Sequence, residues 1–448
     1  MKTVIIGGGS YLWAPGFCRQ FIESDVLQDV ELVLMDQNPD ALNLIATAAD
    51  ILRRKRGRAL CIQETTDMDV ALEGAQFVIV CISTGGLEAM RQDIEIPEKY
   101  GIWHTVGDTV GPGGWSRAVR NIPVFHDLAA RMKDLCPNAW LINVSNPLVP
   151  LARLPTRSFG IKTVGMCPGV ETQVKRLAAL AGFSECRNLD HVVTGIDHGS
   201  WYTKIYADGN DVLARLKELG YCRTDGLLPT EVRTEDPLAE AAQTRAAFAI
   251  WGQLGYLPSI PDRHIVENFP WFLTQPAPKL PFHLKRTSVS ERRQARERRR
   301  QIVEKFVASE DDSLLADLGH GDDPVLAVIE ALSGHRSFLY TSNYMNVGQV
   351  PGFPQGAVLE TRCRFDGAGI HPLCSPMPEI PKILTLPVVL RQEAIIDIAL
   401  EGTFDQLVAL IYTDPLSCHL LPGQCRAMVR EMLNANRPWI HNPKLLEF

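Results

Sequence analysis

The sequence lacks a surplus of positive charge, a long apolar run and a leader-like beginning. Its 45 lysine and arginine residues are outnumbered by 52 aspartate and glutamate residues, and the formal net charge is -7. Nucleic-acid binding needs a concentration of basic side chains, so we expect no nucleic-acid partner. Because no stretch is long enough to span a bilayer and a strand follows Met1 directly, we expect a cytoplasmic protein without a membrane partner.

Cysteines in paired spacing are also missing. The 11 cysteines are scattered along the chain, which predicts reduced thiols instead of a disulfide framework. One basic run, at residues 291–300, alternates with acids at helical spacing and predicts a solvated helix face. The rest is the composition of an ordinary globular protein, 46% hydrophobic and 22% charged, which at 448 residues predicts two or three domains.

A glycine turn follows the first predicted strand, Lys2–Ile6, and consists of Gly7, Gly8, Gly9 and Ser10. A second strand, at residues 30–35, ends on Asp36. Such a turn lets backbone N–H groups approach a pyrophosphate, and the acid can bind ribose hydroxyls. The pattern predicts NAD in preference to NADP, whose extra phosphate Asp36 would repel. The strict dinucleotide spacing is broken, because Trp13 occupies the place of the third glycine.

The first half alternates predicted strands and helices, which is typical of a parallel sheet. Further strands are predicted at residues 75–82, 139–144, 162–166 and 191–196. We therefore expect an α/β fold with an N-terminal Rossmann-like, doubly wound parallel sheet over residues 1–197, similar to lactate and malate dehydrogenases. Ligands of such sheets bind beyond the carboxyl ends of the strands, so residues just after each strand are site candidates.

Beyond about residue 200 the alternation stops. Amphipathic stretches at residues 236–254, 289–309 and 381–401 are separated by proline-rich connections such as 275–281. This pattern predicts a C-terminal α+β, largely helical substrate domain over residues 198–448.

Polar residues follow two of the predicted strands closely enough to serve the site. Ser83 comes after the strand at 75–82, and Asn146 follows the strand at 139–144, where its amide could reach a cofactor or a substrate. A separate glycine-rich turn at residues 107–114 contains a single acid, Asp108.

Cys167 and His198 each follow a predicted strand. A thiolate and an imidazole at neighbouring strand ends could share a divalent metal and leave positions open for substrate oxygens. A loop at residues 255–264 gathers an acid, a base and a cation, which is more typical of a substrate rim than of a core.

Several motifs together resemble glycoside hydrolase family 4, and within it the α-galacturonidase-like branch. The motifs are Gly7-Gly8-Gly9-Ser10, the block from Gly101-Ile102 to Gly107-Asp108-Thr109-Val110-Gly111-Pro112-Gly113-Gly114, Asn143-x-x-Asn146-Pro147, Gly195-Ile196-x-His198-x-x-Trp201, Pro261-Asp262-Arg263-His264 and Gly356-Ala357-Val358-Leu359-Glu360-Thr361. The resemblance implies a glycosidase that holds NAD and a divalent metal, usually manganese. It implies transient oxidation at C3 of the sugar, deprotonation at C2, elimination of the aglycone and addition of water.

The resemblance also implies roles for individual residues. Cys167 and His198 match the metal ligands of the family, and Asn146 matches the asparagine beside the sugar ring. Asp262 matches an acid that transfers protons, and Asp108 is a second candidate.

Further roles concern the base and the substrate. Tyr256 is a candidate base, although a packed aromatic is an equal interpretation, and Arg263, His264 and Arg117 could hold a substrate carboxylate. The substrate implied is a small anionic glycoside, and the family implies a homodimer or homotetramer.

One departure from the family pattern leaves the substrate open. Pro168 follows Cys167, where the family usually has a histidine. Two alternatives therefore stand beside the glycosidase. An NAD-dependent 2-hydroxyacid dehydrogenase would share the early fold and the Asn-Pro strand end, and a catalytically silent NAD-binding sensor would need no catalytic metal site.

Overall fold

The computed structural model describes residues 1–228, 243–276, 279–317 and 324–448. None of the helices in these ranges combines the length and the apolar composition needed to cross a bilayer.

Six strands of the N-terminal half form a parallel sheet. They are β1 (Lys2–Ile6), β2 (Glu31–Met35), β3 (Cys61–Thr65), β4 (Phe77–Val80), β5 (Trp140–Asn143) and β6 (Lys162–Gly165). Their order in space is β3-β2-β1-β4-β5-β6, and every neighbouring pair is parallel. The prediction of a Rossmann-like, doubly wound sheet is confirmed. Strand β3 was not predicted, because it is a mostly exposed, polar edge strand.

The same sheet continues beyond β6 with strands from the second half of the chain. These are β7 (Leu189–Gly195), β8 (Trp201–Ala207), β9 (Asn210–Asp211), β10 (Leu257–Pro258), β11 (Phe338–Met345), β12 (Val358–Asp366) and β13 (Gly369–Pro372). The path runs β6-β11-β12-β7-β8-β10, with each pair antiparallel, while β13 pairs with β12 and β9 with β8.

This order corrects one expectation. Strands β6 and β7 are not neighbours, because β11 and β12 lie between them. The premise that Cys167 and His198 follow neighbouring strands of one parallel sheet is therefore wrong. The domain boundary at residue 197 stays a prediction, and the strands on its two sides belong to one continuous sheet.

Helices cover both faces of the sheet. They are α1 (Ala14–Glu23), α2 (Pro39–Lys55), α3 (Met68–Leu72), α4 (Gly86–Glu98), α5 (Gly111–Leu135), α6 (Leu148–Phe159), α7 (Gly169–Leu180), α8 (Val212–Glu218), α9 (Arg245–Leu254), α10 (Asp262–Ile265), α11 (Val289–Ser309), α12 (Val325–Leu332), α13 (Glu379–Glu401), α14 (Phe404–Tyr412) and α15 (Pro422–Ala435). Helices α11 and α13 match the predicted amphipathic stretches at 289–309 and 381–401. Of the stretch at 236–254, residues 236–242 lie outside the described residues, as do residues 277–278 of the proline-rich connection.

Alternate side chains of each central strand enter two separate cores. On β1, Val4 and Ile6 pack with α5 and α6, whereas Ile5 packs on the opposite face with α1 and α2. A strand buried on both faces reads as a continuous apolar run, which is why the parallel strands were recognisable from sequence.

Candidate functional site

The glycine turn and Asp36 meet directly. The N–H groups of Gly7 and Gly8 donate to the Met35 carbonyl at 2.9 and 2.8 Å. The Asp36 carboxylate accepts from the Gly9 N–H at 3.0 Å. A Cβ atom at Gly8 would lie 2.8 Å from Leu34 Cβ, so the close approach of β2 requires glycine. The structure thus brings together the residues that the sequence assigned to NAD.

The ends of β4 and β5 add polar groups at the same edge of the sheet. Ser83 is exposed just beyond β4. Asn146 follows β5, and its carbonyl accepts from Arg117 Nε at 3.0 Å and Asn121 Nδ2 at 2.9 Å. Its side-chain Oδ1 is buried and has no hydrogen-bond partner in the described part of the chain. The Asn146 amide therefore has an acceptor free for a ligand.

The glycine-rich block forms the tightly packed beginning of α5. The Gly111 N–H donates to Asp414 Oδ2 at 3.1 Å, so the helix N-terminus is already occupied by a carboxylate. A Cβ atom at Gly114 would lie 2.4 Å from the Thr109 carbonyl carbon. The glycines thus serve close packing, and the packing holds Asp108 and Thr109 in the interior.

Cys167 and His198 meet, as predicted, although their strands are separated in the sheet. Cys167 Sγ lies 3.8 Å from His198 Nε2. Asp197 joins them, and one ligand atom from each of the three residues lies within 4.8 Å of the others. Asp197 is 1% exposed, yet neither of its oxygens accepts a nitrogen or hydroxyl hydrogen bond in the described residues. Orphaned carboxylate oxygens beside a thiol and an imidazole fit a divalent cation.

Thr109 determines which nitrogen of His198 faces the thiol. Its hydroxyl lies 2.9 Å from Asp108 Oδ1 and 2.7 Å from His198 Nδ1. Because an ionised Asp108 can only accept, the hydroxyl donates to it and accepts from Nδ1–H. With the Nδ1 proton engaged by Thr109, Nε2 is the ring nitrogen that faces Cys167 Sγ, and it is the nitrogen that a metal would take.

Burial raises the pKa values of the acidic groups around the Cys167 thiol. Burial raises the pKa of the Cys167 thiol well above its usual range, and the nearby acids Asp197 and Glu360 raise it further. Burial likewise raises the pKa values of Asp197 and Glu360. Several acidic groups so close together in the interior cannot all be ionised unless a cation balances their charge; otherwise some of them keep their protons.

Asp108 stays ionised in the same pocket. Burial alone would raise its pKa, but the surrounding groups, His198 foremost and the Arg117 and Arg292 guanidinium groups among them, hold it well below its usual range. The site therefore places a carboxylate whose pKa is lowered beside acidic groups whose pKa values are raised.

A basic cluster borders Asp108 and consists of Arg117, Arg263, His264 and Arg292. The ring centroids of His264 and His198 are 4.0 Å apart. Arg263 Nε lies 3.3 Å from His264 Nε2. Arg292 Nε is buried without a hydrogen-bond partner in the described residues, and burial lowers its pKa against the influence of Asp108.

The prediction that the basic run at residues 291–300 is a solvated helix face was wrong for Arg292. Most of α11 is solvated as expected, but Arg292 lies on its inner face. The sequence feature that could have identified Arg292 as inward-facing is its helical spacing. It lies three residues after the buried Val289 and eleven before the buried Val303. Asp197 was also missed, although it stands beside His198 within a recognised motif.

The contacts of Asp262 and Tyr256 lie with α9 and with the apolar core. The two Asp262 oxygens accept from the N–H groups of Ala246 and Ala247, both at 2.9 Å, in the first turn of α9. Burial raises the pKa of Asp262 to about 8. Tyr256 is partly buried between α9 and β10 and packs against the main apolar core. Their catalytic roles stay predictions, and Asp262 has a helix-capping contact of its own.

Pro168 connects the candidate ligand Cys167 to α7. It occupies the position before the first helical residue, Gly169, whose backbone N–H lowers the pKa of Cys167. A Cβ atom at Gly169 would lie 2.2 Å from Ile260 Cδ1. Pro168 itself brings no side-chain donor or acceptor to the site.

Comparison with known proteins places the chain in a family. Residues 2–183 match the family 4 glycosyl hydrolases, and residues 193–417 match the C-terminal domain of the same family. An alpha-galacturonidase of Thermoanaerobacterium saccharolyticum is 30% identical over 98% of this chain and 96% of its own length. An alpha-galactosidase of Bacillus subtilis is 26% identical over 98% of this chain and 99% of its own.

Solved structures agree with this assignment. The putative glucosidase lplD from Bacillus subtilis is 26% identical, with a TM-score of 0.85 over 97% of this chain and 99% of its own. A 6-phospho-alpha-glucosidase from gut microorganisms, solved in complex with NAD and Mn²⁺, shares the fold at 21% identity, with a TM-score of 0.82 over 98% and 99% of the two chains. The chain belongs to family 4 of the glycosyl hydrolases.

Proposed function

We propose that this glycosidase hydrolyses a small anionic α-glycoside of the α-galacturonide type with the help of NAD and a divalent cation, manganese. The main support is the group formed by the half-buried Cys167 and the buried Asp197 and His198, which lies beside a basic cluster. The alpha-galacturonidase named among its relatives supports the substrate class.

The residues present fit both groups. The glycine turn and Asp36 would hold NAD, and Cys167, Asp197 and His198 would hold the cation. When bound, NAD accepts and returns a hydride at the sugar, and the cation stabilises negative charge on neighbouring sugar oxygens.

The chain's own side chains would move protons and orient the sugar. Asp108 is buried beside His198 and remains a candidate, although its lowered pKa makes it a weak base, and the free Asn146 Oδ1 can accept from a sugar hydroxyl. Asp262 and Tyr256 remain proposed proton-transfer groups. For Asp262, that role requires release from the Ala246 and Ala247 N–H groups.

The basic cluster supplies the preference for an anion. The unpartnered Nε of Arg292 and the neighbouring Arg117 and Arg263 offer guanidinium groups that match a carboxylate in geometry and charge. Because Pro168 contributes no donor next to Cys167, recognition of the sugar carboxylate depends on this cluster.

The test is turnover of matched substrates with NAD and Mn²⁺ under reducing conditions. Aryl α-galacturonide, α-galactoside and 6-phospho-α-glucoside are compared, and sugar release is followed separately from NADH. We expect release from the galacturonide that requires NAD and produces no net NADH. Stoichiometric NADH would favour the dehydrogenase alternative, turnover of another substrate would overturn the galacturonide assignment, and no turnover of any would favour a sensor.

The elimination route has its own isotopic signature. Because the C2 proton is removed and replaced, product formed in deuterated water should carry deuterium at C2. Product without that label would contradict the proposed route while leaving the hydrolysis itself in place.

A further inference from the structure

Glu267 is a buried carboxylate outside the groups described so far. It is 1% exposed, and its Oε1 accepts the backbone N–H groups of Thr105, Val106 and Gly107 at 2.9, 2.7 and 2.8 Å. Three convergent N–H donors on one carboxylate oxygen are charge-assisted hydrogen bonds, stronger than neutral ones. Glu267 therefore fixes the backbone that enters the glycine-rich block.

The residue after Glu267, Asn268, contacts the backbone of the proposed metal ligand His198. Asn268 Nδ2 donates to the His198 carbonyl at 2.9 Å. The loop held by Glu267 continues into Asp108 and Thr109, and the Thr109 hydroxyl contacts His198 Nδ1. His198 is thus fixed at its backbone by Asn268 and at its ring through the loop that Glu267 orders.

We infer that Glu267 is a positioning residue for the cation site, which it serves by holding Thr109 so that His198 presents Nε2 toward Cys167. His198 has a left-handed backbone conformation with φ of 58°, which a non-glycine residue keeps only when its surroundings impose it. The inference rests on the metal-binding part of the proposed function and is independent of the sugar substrate.

The test compares Glu267→Leu, which removes the acceptor, with Glu267→Gln, which keeps an oxygen in place. Mn²⁺ affinity is measured by electron paramagnetic resonance, and hydrogen exchange of residues 104–110 is measured on the metal-free protein. Loss of a hydrogen-bond partner of a metal ligand typically weakens metal binding about 10- to 100-fold, and loss of Glu267, which acts on such a partner through the loop, should weaken it about tenfold. We expect that loss and faster exchange in Glu267→Leu, with substantial recovery of both in Glu267→Gln.

Glu330→Leu is the matched control. Glu330 is also a buried carboxylate, and it accepts from Ser24 Oγ and Arg336, both at 3.1 Å, on the opposite face of the sheet. It should lose stability while keeping wild-type Mn²⁺ affinity and wild-type exchange at 104–110. An equal effect of the control on Mn²⁺ would contradict a positioning role for Glu267.

Thr109→Val, which removes the hydroxyl that contacts His198 Nδ1, keeps the inference testable if Glu267→Leu does not fold. This variant should weaken Mn²⁺ binding at least as much as Glu267→Leu, while exchange at 104–110 stays close to wild type because Glu267 still holds the loop. Wild-type Mn²⁺ affinity in a folded Glu267→Leu, or failing that in Thr109→Val, overturns the inference. If the wild-type protein binds no Mn²⁺, the proposed function loses its metal, and unchanged exchange in the folded Glu267 variants would separately show that Glu267 does not order the loop.

Discussion

The glycine turn and the buried cluster are built in different ways. The turn joins two segments 27 residues apart through backbone N–H groups and one carboxylate. The cluster gathers ionisable side chains from distant segments, among them Asp108, Cys167 and His198. The pKa of Asp108 is lowered there, and the pKa of Cys167 is raised. The backbone determines the shape of the glycine turn. The charge of the buried cluster, in contrast, depends on which protons or cations are bound there.

Removal of a proposed metal ligand should give the largest difference between the two regions, because it should abolish most of the activity and leave NAD binding intact. In Cys167→Ser and His198→Ala, the loss of several kcal/mol of charge stabilisation should reduce kcat about 1,000-fold, since each 1.36 kcal/mol is tenfold. NAD binding, followed by fluorescence quenching, should be retained because the turn is untouched. Normal activity in both variants would disprove the metal site.

Substitution of Arg292 tests whether the basic cluster recognises a substrate carboxylate, and a second arginine on the same helix serves as the control. Hydrogen bonds to charged groups contribute about 1.5–3 kcal/mol, so Arg292→Ala should raise KM for an α-galacturonide about 10- to 100-fold. The exposed Arg298→Ala should behave as wild type. An equal rise in KM for an uncharged α-galactoside would show that Arg292 supports the pocket and does not recognise the carboxylate.

The Mn²⁺ affinity of the group formed by Cys167, Asp197 and His198 should also depend on pH. Burial raises the pKa values of Cys167 and Asp197, so protons compete with a cation for both groups. Mn²⁺ affinity should therefore fall as pH is lowered, by about tenfold per pH unit for each proton displaced. Calorimetric titrations between pH 6 and 8 in buffers of different ionisation enthalpy would count those protons, and a count of zero would contradict the account.

Asp262 should give the smallest effect. Loss of its two contacts to the first turn of α9 in Asp262→Ala should lower the free energy of unfolding by about 1 kcal/mol. Denaturant unfolding measures that change, and kcat of the folded variant decides the predicted acid role. A large loss of kcat at unchanged stability would favour catalysis over capping.

Local patterns predicted much of the fold and of the cofactor turn. The central strands are apolar runs, and the glycine turn ends next to Asp36 because β1 and β2 are parallel neighbours. The edge strand β3 lacks an apolar pattern, so it was missed. The antiparallel insertion of β11 and β12 between β6 and β7 depends on residues more than a hundred positions away and was not visible locally.

The candidate site was only partly predictable for the same reason. Cys167 and His198 were paired through a family resemblance, and their contact is present. Arg292 was assigned to solvent because its neighbours are charged. Asp262 was assigned to proton transfer through the family resemblance, which stays a prediction, while its contact with the first turn of α9 was not visible in the local sequence. In each case a distant packing contact determined the environment of the side chain.

Mn²⁺ titration of the purified protein, followed by electron paramagnetic resonance, tests whether Cys167, Asp197 and His198 hold a cation. We expect one tightly bound Mn²⁺ per chain in the wild type and in Cys136→Ser, whose buried cysteine lies at the end of α5. We expect loss of that ion in Cys167→Ser and in Asp197→Asn. Tight binding that survives both substitutions, or a wild-type protein that binds no Mn²⁺, would contradict this assignment.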